Sequence, residues 1–479
     1  MTKQEIEKRL RTLKAQFYKR SDIGAAQLFA DVFRREHRYN QTAKEWYSYR
    51  AGVWERDPEG LSARSDLKLL SDQLLRYATD LEMSEDERKS FVKFACRWLS
   101  SGYRNSLLND ARDLNFFNRE DLDKNPYFVN CQNGVISIKD GKVKFLRHNP
   151  DYLLSKQAGV EYNAAADCPR WKQFIDEVTA QDSGKQLYLQ KLAGLALVGE
   201  LPECKFFIVY GSTTRNGKSV FCETLLSILG DYGATVNPET LALQKVDSRR
   251  ASGDLARLAG VRFAVCSEVP QRLPLDSALI KRLTGGEKIT ARHLMEREFE
   301  FQPVCKILMN TNYLPSTSDS TVFSSGRISV IEFPRHFEKH EQDKKLKQKL
   351  LKEASGILNW MIEGYKAYLR EGLEEPESIQ RATADYESDS DRIKCFLDEC
   401  LIPQRGKCVS VKDAYIVYSS WCENSGYQAK GKQGFVEALK QKRVFRDTGT
   451  IDGKTVKRVI VGYSDFIKIG SSFEELTAM

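Results

Sequence analysis

At 479 residues, with 41% hydrophobic and 29% charged side chains, the chain is rich enough in apolar residues for about two to four domains with their own cores, which excludes a disordered protein. The net charge of +8 is uneven: residues 391–470 hold 15 Lys/Arg against 9 Asp/Glu, the footprint of a polyanion-binding segment near the C-terminus. No apolar run approaches a membrane span and the N-terminus is charged where a signal peptide needs an apolar block, so a cytoplasmic protein is expected, and eleven cysteines without a Cys-x-x-Cys argue for reduced thiols rather than a disulfide frame or a zinc site.

Ile6, Leu10, Leu13 and Phe17 recur at helical spacing and predict an amphipathic helix within residues 1–20, either packed on the next domain or serving as a DNA-contacting arm. From residue 21 to about 108 the pattern is mainly helical, with an aromatic stretch at 46–54 that can pair as short strands. Between 126 and 162 the pattern turns to β. Residues 135–138 and 143–146 flank Asp140-Gly141, a strong hairpin signal. Residues 21–165 are thus expected to form one mainly helical domain, and residues 170–198 lead by helix into the next.

Phe206, Phe207, Ile208, Val209 and Tyr210 form a short apolar run suited to a buried strand. Gly211-Ser212-Thr213-Thr214-Arg215-Asn216-Gly217-Lys218-Ser219 follows, and then Phe221, Leu225, Ile228 and Leu229 at the spacing of one helix face. Strand, glycine-bearing loop and helix in that order make a phosphate-binding loop. Backbone N–H groups and the helix dipole face a polyphosphate, Gly217 permits close approach, Lys218 reaches the β and γ phosphates, and the Ser219 hydroxyl completes a Mg²⁺ shell. The loop is one residue longer than the usual pattern, because Ser212 occupies the place of its first glycine.

A second apolar strand, 261–266, ends at Ser267-Glu268, where a carboxylate can polarise an attacking water and hold the metal shell. After a helix at 275–283 comes a hairpin with arms at 288–294 and 299–304. A further strand, 306–309, leads to Asn310-Thr311-Asn312, whose amides can orient water against a terminal phosphate. Arg327 precedes a last apolar strand at 328–333. His336 and His340 can share a helix face but have no partner ligands nearby. A helical lid spans 344–369, and the acidic, polar run 371–391 reads as a linker.

Beyond it, helical patterns at 392–401, 411–423 and 432–442 and a hairpin turning at Asp452-Gly453 make a winged-helix arrangement over 392–470. Lys432, Lys440, Lys442 and Arg443 are its candidate duplex-DNA contacts, with a solvated charged face or a protein-docking role as the alternatives.

The order of these parts resembles the superfamily 3 AAA+ helicases, in the branch of phage and plasmid primase-helicases and their poxvirus relatives. The resemblance rests on Gly211 to Ser219, Leu255 to Arg262, Ser267-Glu268, Leu279 to Arg292, Phe301 to Pro303, Asn312 to Pro315 and Arg327-Ile328, with Asn130 to Ile138 resembling the family's N-terminal associated domain. It implies an α/β fold: an AAA+ P-loop core at 166–370 behind a mainly helical domain. It implies that residues 211 and 214–219 bind ATP with Mg²⁺, the ion held by Ser219 and Glu268. Glu268 is the implied catalytic base, Asn312 the phosphate sensor with Asn310 as its alternative, and Arg327 a finger offered to a neighbouring subunit. A hexameric ring drawing single-stranded DNA past a hairpin that carries Lys288, Arg292 and Arg297 is implied as well. With only about 20 residues before the associated domain, a helicase without a primase domain is expected, working with a separate primase or host replication proteins in a bacterial host. The implied function is a replicative helicase of a phage or mobile element, with the role of its initiator as an addition; an origin-binding ATPase that does not unwind is the alternative.

Overall fold

The computed structural model describes residues 1–243, 253–270, 273–292, 298–317, 319, 321–424 and 429–467. Its N-terminal region is built from helices whose ends are fixed by local chemistry. Thr2 and Glu5 form a capping box on Lys3–Leu13, Ser21 caps Asp22–Val32, and Ser84 and Glu87 box the start of Glu85–Arg97. Ile6 and Leu10 are buried with Phe29, Leu67, Leu74, Phe91 and Trp98, so the first helix belongs to this core and is not a separate arm; Phe17, the fourth residue of the expected stripe, is exposed. The aromatic stretch pairs as expected: Glu45–Arg50 runs antiparallel to Val53–Asp57 and to His37–Asn40.

The β segment forms a sheet of Phe128–Cys131, Gly134–Ser137 and Lys144–Leu146, turning at Asp140 and Gly141, both at positive φ. Its Val129, Ile136 and Ile138 share one core with Trp171, Phe174 and Leu192 from the helices Pro169–Val178 and Ser183–Leu195. The boundary expected near residue 165 therefore does not separate two cores.

The centre of the molecule is a five-stranded parallel sheet in the order Ile328–Glu332, Phe206–Tyr210, Lys306–Thr311, Phe263–Cys266, Gly233–Val236. Phe206–Tyr210 lies between two neighbours with helices on both faces, which is why it reads as an unbroken apolar run. All five strands point the same way, so the loops after them gather at one edge. The hairpin is present with Ile289–Ala291 opposite Phe299–Phe301.

The expected linker is instead a helix, Glu377–Ser390, laid on the edge strand Ile328–Glu332. Ile379, Ala382 and Tyr386 are buried, the Tyr386 hydroxyl donates to the Pro315 carbonyl (2.6 Å), and the Thr383 hydroxyl accepts from the Val330 N–H (3.0 Å). Three apolar residues at helical spacing are enough for one packed face; the acidic residues around them face water.

The C-terminal segment packs helices Arg392–Cys400, Val411–Asn424 and Lys432–Gln441 against a sheet of Leu401–Ser410, Lys454–Phe466 and Phe445–Ile451. The hairpin turns at Asp452 and Gly453 as expected, while the strand at 401–410 is one that its Pro, Gly and Lys content hides.

Candidate functional site

The loop between Tyr210 and Lys218 is shaped by two glycines. Gly217 has φ +87°, and a Cβ there would lie 2.6 Å from Val178 Cγ1 and 3.0 Å from Phe174 Cε2, so neither backbone nor packing admits a side chain. A Cβ on Gly211 would lie 3.0 Å from the Lys218 ammonium. The loop is also braced from behind. Asn216, 2% exposed, donates its amide to Thr213 Oγ1 (2.9 Å) and to the carbonyls of Phe333 and Arg335 (both 3.2 Å). The Phe337 N–H donates to the Arg215 carbonyl (3.0 Å), and His336 Nδ1 lies 2.7 Å from the Thr214 carbonyl. His336 is thus tied to the loop, and among the described residues no cluster of three or more His, Cys, Asp or Glu could hold a metal.

Lys218 opens the helix Lys218–Leu229 with its ammonium turned into the loop, 2.9 Å from Asn216 Oδ1, 2.6 Å from Asn312 Oδ1 and 3.5 Å from the Gly211 carbonyl. It is buried, and desolvation pushes its pKa below the ordinary lysine value. The Ser219 hydroxyl accepts from Asn310 Nδ2 (3.1 Å). Asn310 and Asn312 stand two residues apart at the tip of the neighbouring strand and so reach the same place, one on Ser219 and one on Lys218. Glu268, just past the tip of the next strand, is exposed at φ +59° and lines the same cleft of about 590 Å³. Tyr313 stands half-exposed at the rim, its backbone fixed by two bonds with Thr311 Oγ1.

The cleft therefore joins Thr214, Arg215, Asn216, Gly217, Lys218, Ser219, Glu268, Asn310 and Asn312. A cation, a helix N-terminus, a hydroxyl and an exposed carboxylate at one sheet edge can hold a polyphosphate and position a water beside it. Sequence reasoning missed the wall at 333–337. It acts mostly through main-chain groups, the Phe333 and Arg335 carbonyls and the Phe337 N–H, which no side-chain pattern reports.

Other candidates lie elsewhere. Arg327 sits at the opposite end of the sheet, where Ile328 pairs with Phe206, and its guanidinium donates to Thr284 Oγ1 (2.9 Å) and the Lys281 carbonyl (3.4 Å). Lys288 is exposed and Arg292 half-buried on the first arm of the hairpin; Arg297 lies outside the described residues. In the C-terminal segment Lys432 lies over the Tyr415 ring (5.7 Å) and Lys440 over Phe445 (5.2 Å), along a groove that also holds Lys412 and Arg458. Arg443 is exposed in the turn after the third helix. Lys442 departs from the expectation of a free cation: it is ion-paired with Asp391, at the joint to the preceding helix.

Residues 26–180 match the family described as "D5 N terminal like", residues 388–461 one described as "Poxvirus D5 protein-like", and residues 209–327 a family of unknown function, DUF5906. Among curated relatives, "Putative helicase L207/L206" of Acanthamoeba polyphaga mimivirus is 26% identical over 68% of this chain and 36% of its own length. "Putative helicase 121R" of Invertebrate iridescent virus 3 is 20% identical over 89% of this chain and 53% of its own, and "Putative helicase V13" of Sputnik virophage 31% identical over 48% and 29%. The chain spans from under a third to about half of these relatives. The apo structure of the NrS-1 C-terminal region superposes with a TM-score of 0.50 at 13% identity, covering 89% of this chain and 96% of that one, which shows a shared mixed α/β fold. Together the matches make the chain similar to D5-like proteins and to proteins named as helicases in large DNA viruses and a virophage. Among the described residues no helix is long and apolar enough to cross a membrane.

Proposed function

We propose that this chain is the ATP-driven motor of a replicative DNA helicase of superfamily 3, from a phage or related mobile element. The observation that carries the reading is the meeting of Lys218, Ser219, Glu268, Asn310 and Asn312 at one edge of the parallel sheet. With the strands numbered along the chain from Phe206, their spatial order is 5-1-4-3-2, which supports an AAA+ P-loop core.

Each residue then has a task. The triphosphate of ATP replaces Asn312 and Asn216 as partner of the Lys218 ammonium, which gains by exchanging neutral acceptors for charged ones. Asn312, released, is free to face the terminal phosphate as sensor, and Asn310 keeps the Ser219 hydroxyl oriented. Glu268 accepts the proton of the attacking water. Ser219 and Glu268 are the protein groups that would hold Mg²⁺, which would neutralise phosphate charge there. Arg327, remote from this chain's own cleft, fits a finger presented to a neighbour in a homo-oligomeric ring, for which a hexamer is the proposed form. The helices and hairpin of the C-terminal segment are read as a winged helix, whose Lys432, Lys440 and Arg443 are proposed to meet duplex DNA, while Lys288 and Arg292 at the hairpin are proposed to meet the single strand.

The test is ATP hydrolysis and unwinding of a forked duplex by the purified chain, beside Lys218→Ala and Glu268→Gln. Both activities in the parent, with both lost in each variant while Glu268→Gln still binds ATP, are the expected result. Hydrolysis without unwinding would favour an ATPase that controls assembly at an origin, and hydrolysis indifferent to Lys218 would remove the reading altogether.

A further inference from the structure

At the foot of the sheet, on the edge away from the ATP cleft, two cations are buried side by side and, among the described residues, neither is ion-paired with a carboxylate. Arg262 is 3% exposed and Lys306 2%; Arg262 precedes Phe263, and Phe263 faces Lys306 across the two strands. The Lys306 ammonium donates to the carbonyls of Val198 (2.7 Å), Glu200 (2.6 Å) and Val304 (3.3 Å). Arg262 donates to the Leu197 carbonyl, its guanidinium 4.2 Å from the centre of the Tyr232 ring. Among the described residues neither has an acidic side chain within ion-pair reach; the nearby Glu200 carboxylate accepts instead from the Tyr127 hydroxyl (2.6 Å). Two desolvated positive charges satisfied only by dipoles are a costly arrangement, and one that an anion would relieve.

Arg262 opens onto a cleft of about 400 Å³ between the N-terminal region and the sheet. Arg56, Arg119 and Lys156 are the other cations lining it, and Asp123 is its one acid among the described residues. Arg56 is already paired with Glu45 (2.7 Å), and Asp123 is occupied by the N–H (2.9 Å) and hydroxyl of Ser155. Arg119 lies 3.6 Å over the Phe299 ring, on the second arm of the hairpin, and Lys156 passes Gly260, where a Cβ would meet its Cε at 2.9 Å. Positive charge thus converges from three separate parts of the chain on one recess, with one engaged carboxylate against it.

We infer that this cleft binds neighbouring phosphate groups, of a single-stranded nucleic acid or of a free polyphosphate, through Arg119, Lys156 and Arg262. Guanidinium groups take phosphate oxygens in pairs, and a half-enclosed recess strengthens each contact. The site stands apart from the ATP cleft and does not depend on hydrolysis there. It is nonetheless placed to be felt at that cleft: Arg262 and Lys306 stand at the start of the strands that lead to Glu268 and to Asn310 and Asn312.

The test uses the full chain and the double variant Arg119→Glu/Lys156→Glu, in parent and Lys218→Ala backgrounds, the latter to silence the loop. Fluorescence anisotropy with a labelled oligothymidylate, followed against salt, reads strand binding; the rise in melting temperature with pyrophosphate reads small-anion binding. Occupation by a strand predicts at least about tenfold weaker oligonucleotide binding and a log–log salt slope shallower by about 1.4, since two phosphates of the strand would no longer be neutralised. Loss of only the pyrophosphate shift assigns a free polyphosphate. Parent-like values of affinity, slope and shift together would overturn the inference. Arg119→Lys/Lys156→Arg should restore binding, and if the reversed charges impair folding, Arg119→Gln/Lys156→Gln carries the same comparison.

Discussion

Lys218 and Lys306 are buried lysines at opposite edges of the same sheet, both with pKa values pushed down by burial, yet they are held in opposite ways. Lys218 rests mainly on two side-chain amides from different segments, Asn216 and Asn312. Lys306 rests on three main-chain carbonyls near the end of the helix Ser183–Leu195 and at the start of its own strand. The Asn312 side chain, half-buried at the cleft, can rotate away when a stronger acceptor arrives, whereas carbonyls fixed by the fold cannot. The upper edge of the sheet is built for exchange of partners and the lower edge for permanence.

The hardest test of that contrast is Lys218→Ala. Hydrolysis should fall by about a thousandfold, as when a main charge-stabilising donor is removed from a reaction centre, and phosphate release measures it. Stability should shift by no more than about 1 kcal/mol, because Asn312 lines an open cleft and can turn to water while Asn216 keeps its own amide bonds. A Lys218→Ala chain destabilised by about 2 kcal/mol or more would put Lys218 in the same class as Lys306 and end the distinction.

Glu268→Gln should come next, at about a hundredfold or more in hydrolysis with ATP binding kept, since it removes a proton acceptor and leaves the cradle intact. Equilibrium binding of a fluorescent ATP analogue separates the two effects. Weakened binding equal to the loss of rate would make Glu268 a holder of the nucleotide and not a base. Asn216→Ala sharpens the same edge: it cuts the loop from the carbonyls of Phe333 and Arg335, and roughly tenfold in hydrolysis is expected, mostly through weaker ATP binding, because it disturbs position and not chemistry.

How far these roles can be read from sequence follows from how local each one is. Strand, glycine loop and helix occupy consecutive residues, so the loop, Lys218 and Ser219 are legible, and Glu268, Asn310 and Asn312 follow because polar residues at the ends of apolar strands stand out. The brace on Asn216 is not legible, since its partners lie 117 and 119 residues away and offer only carbonyls. Lys306 at the head of an apolar strand reads as a residue facing water, and nothing nearby announces that Val198, Glu200 and Val304 will enclose it. The helix Glu377–Ser390 reads as a linker because its composition is acidic, while its three packing residues form a pattern that matters only once an edge strand is there to receive them.

The smallest expected effect belongs to the lower edge and is a matter of pH. Burial, with the charge of Arg262 beside it, pushes the Lys306 pKa down to about 7, while an unfolded chain holds its lysine proton up to about 10.4. Between those values the unfolded state binds more protons than the folded one, so stability rises with pH across that window; below about pH 7 both states are charged and the contribution is flat. One proton at full difference is worth about 1.4 kcal/mol per pH unit, and about 1 kcal/mol is expected between about pH 7.5 and 8.5. Lys306→Met should lose this slope when urea unfolding is compared at the two pH values, and should also cost about 2 kcal/mol at the lower of them by leaving carbonyls without a donor. Equal slopes in parent and variant would mean that the three carbonyls keep the ammonium charged throughout, and that the lower edge carries its positive charge without strain.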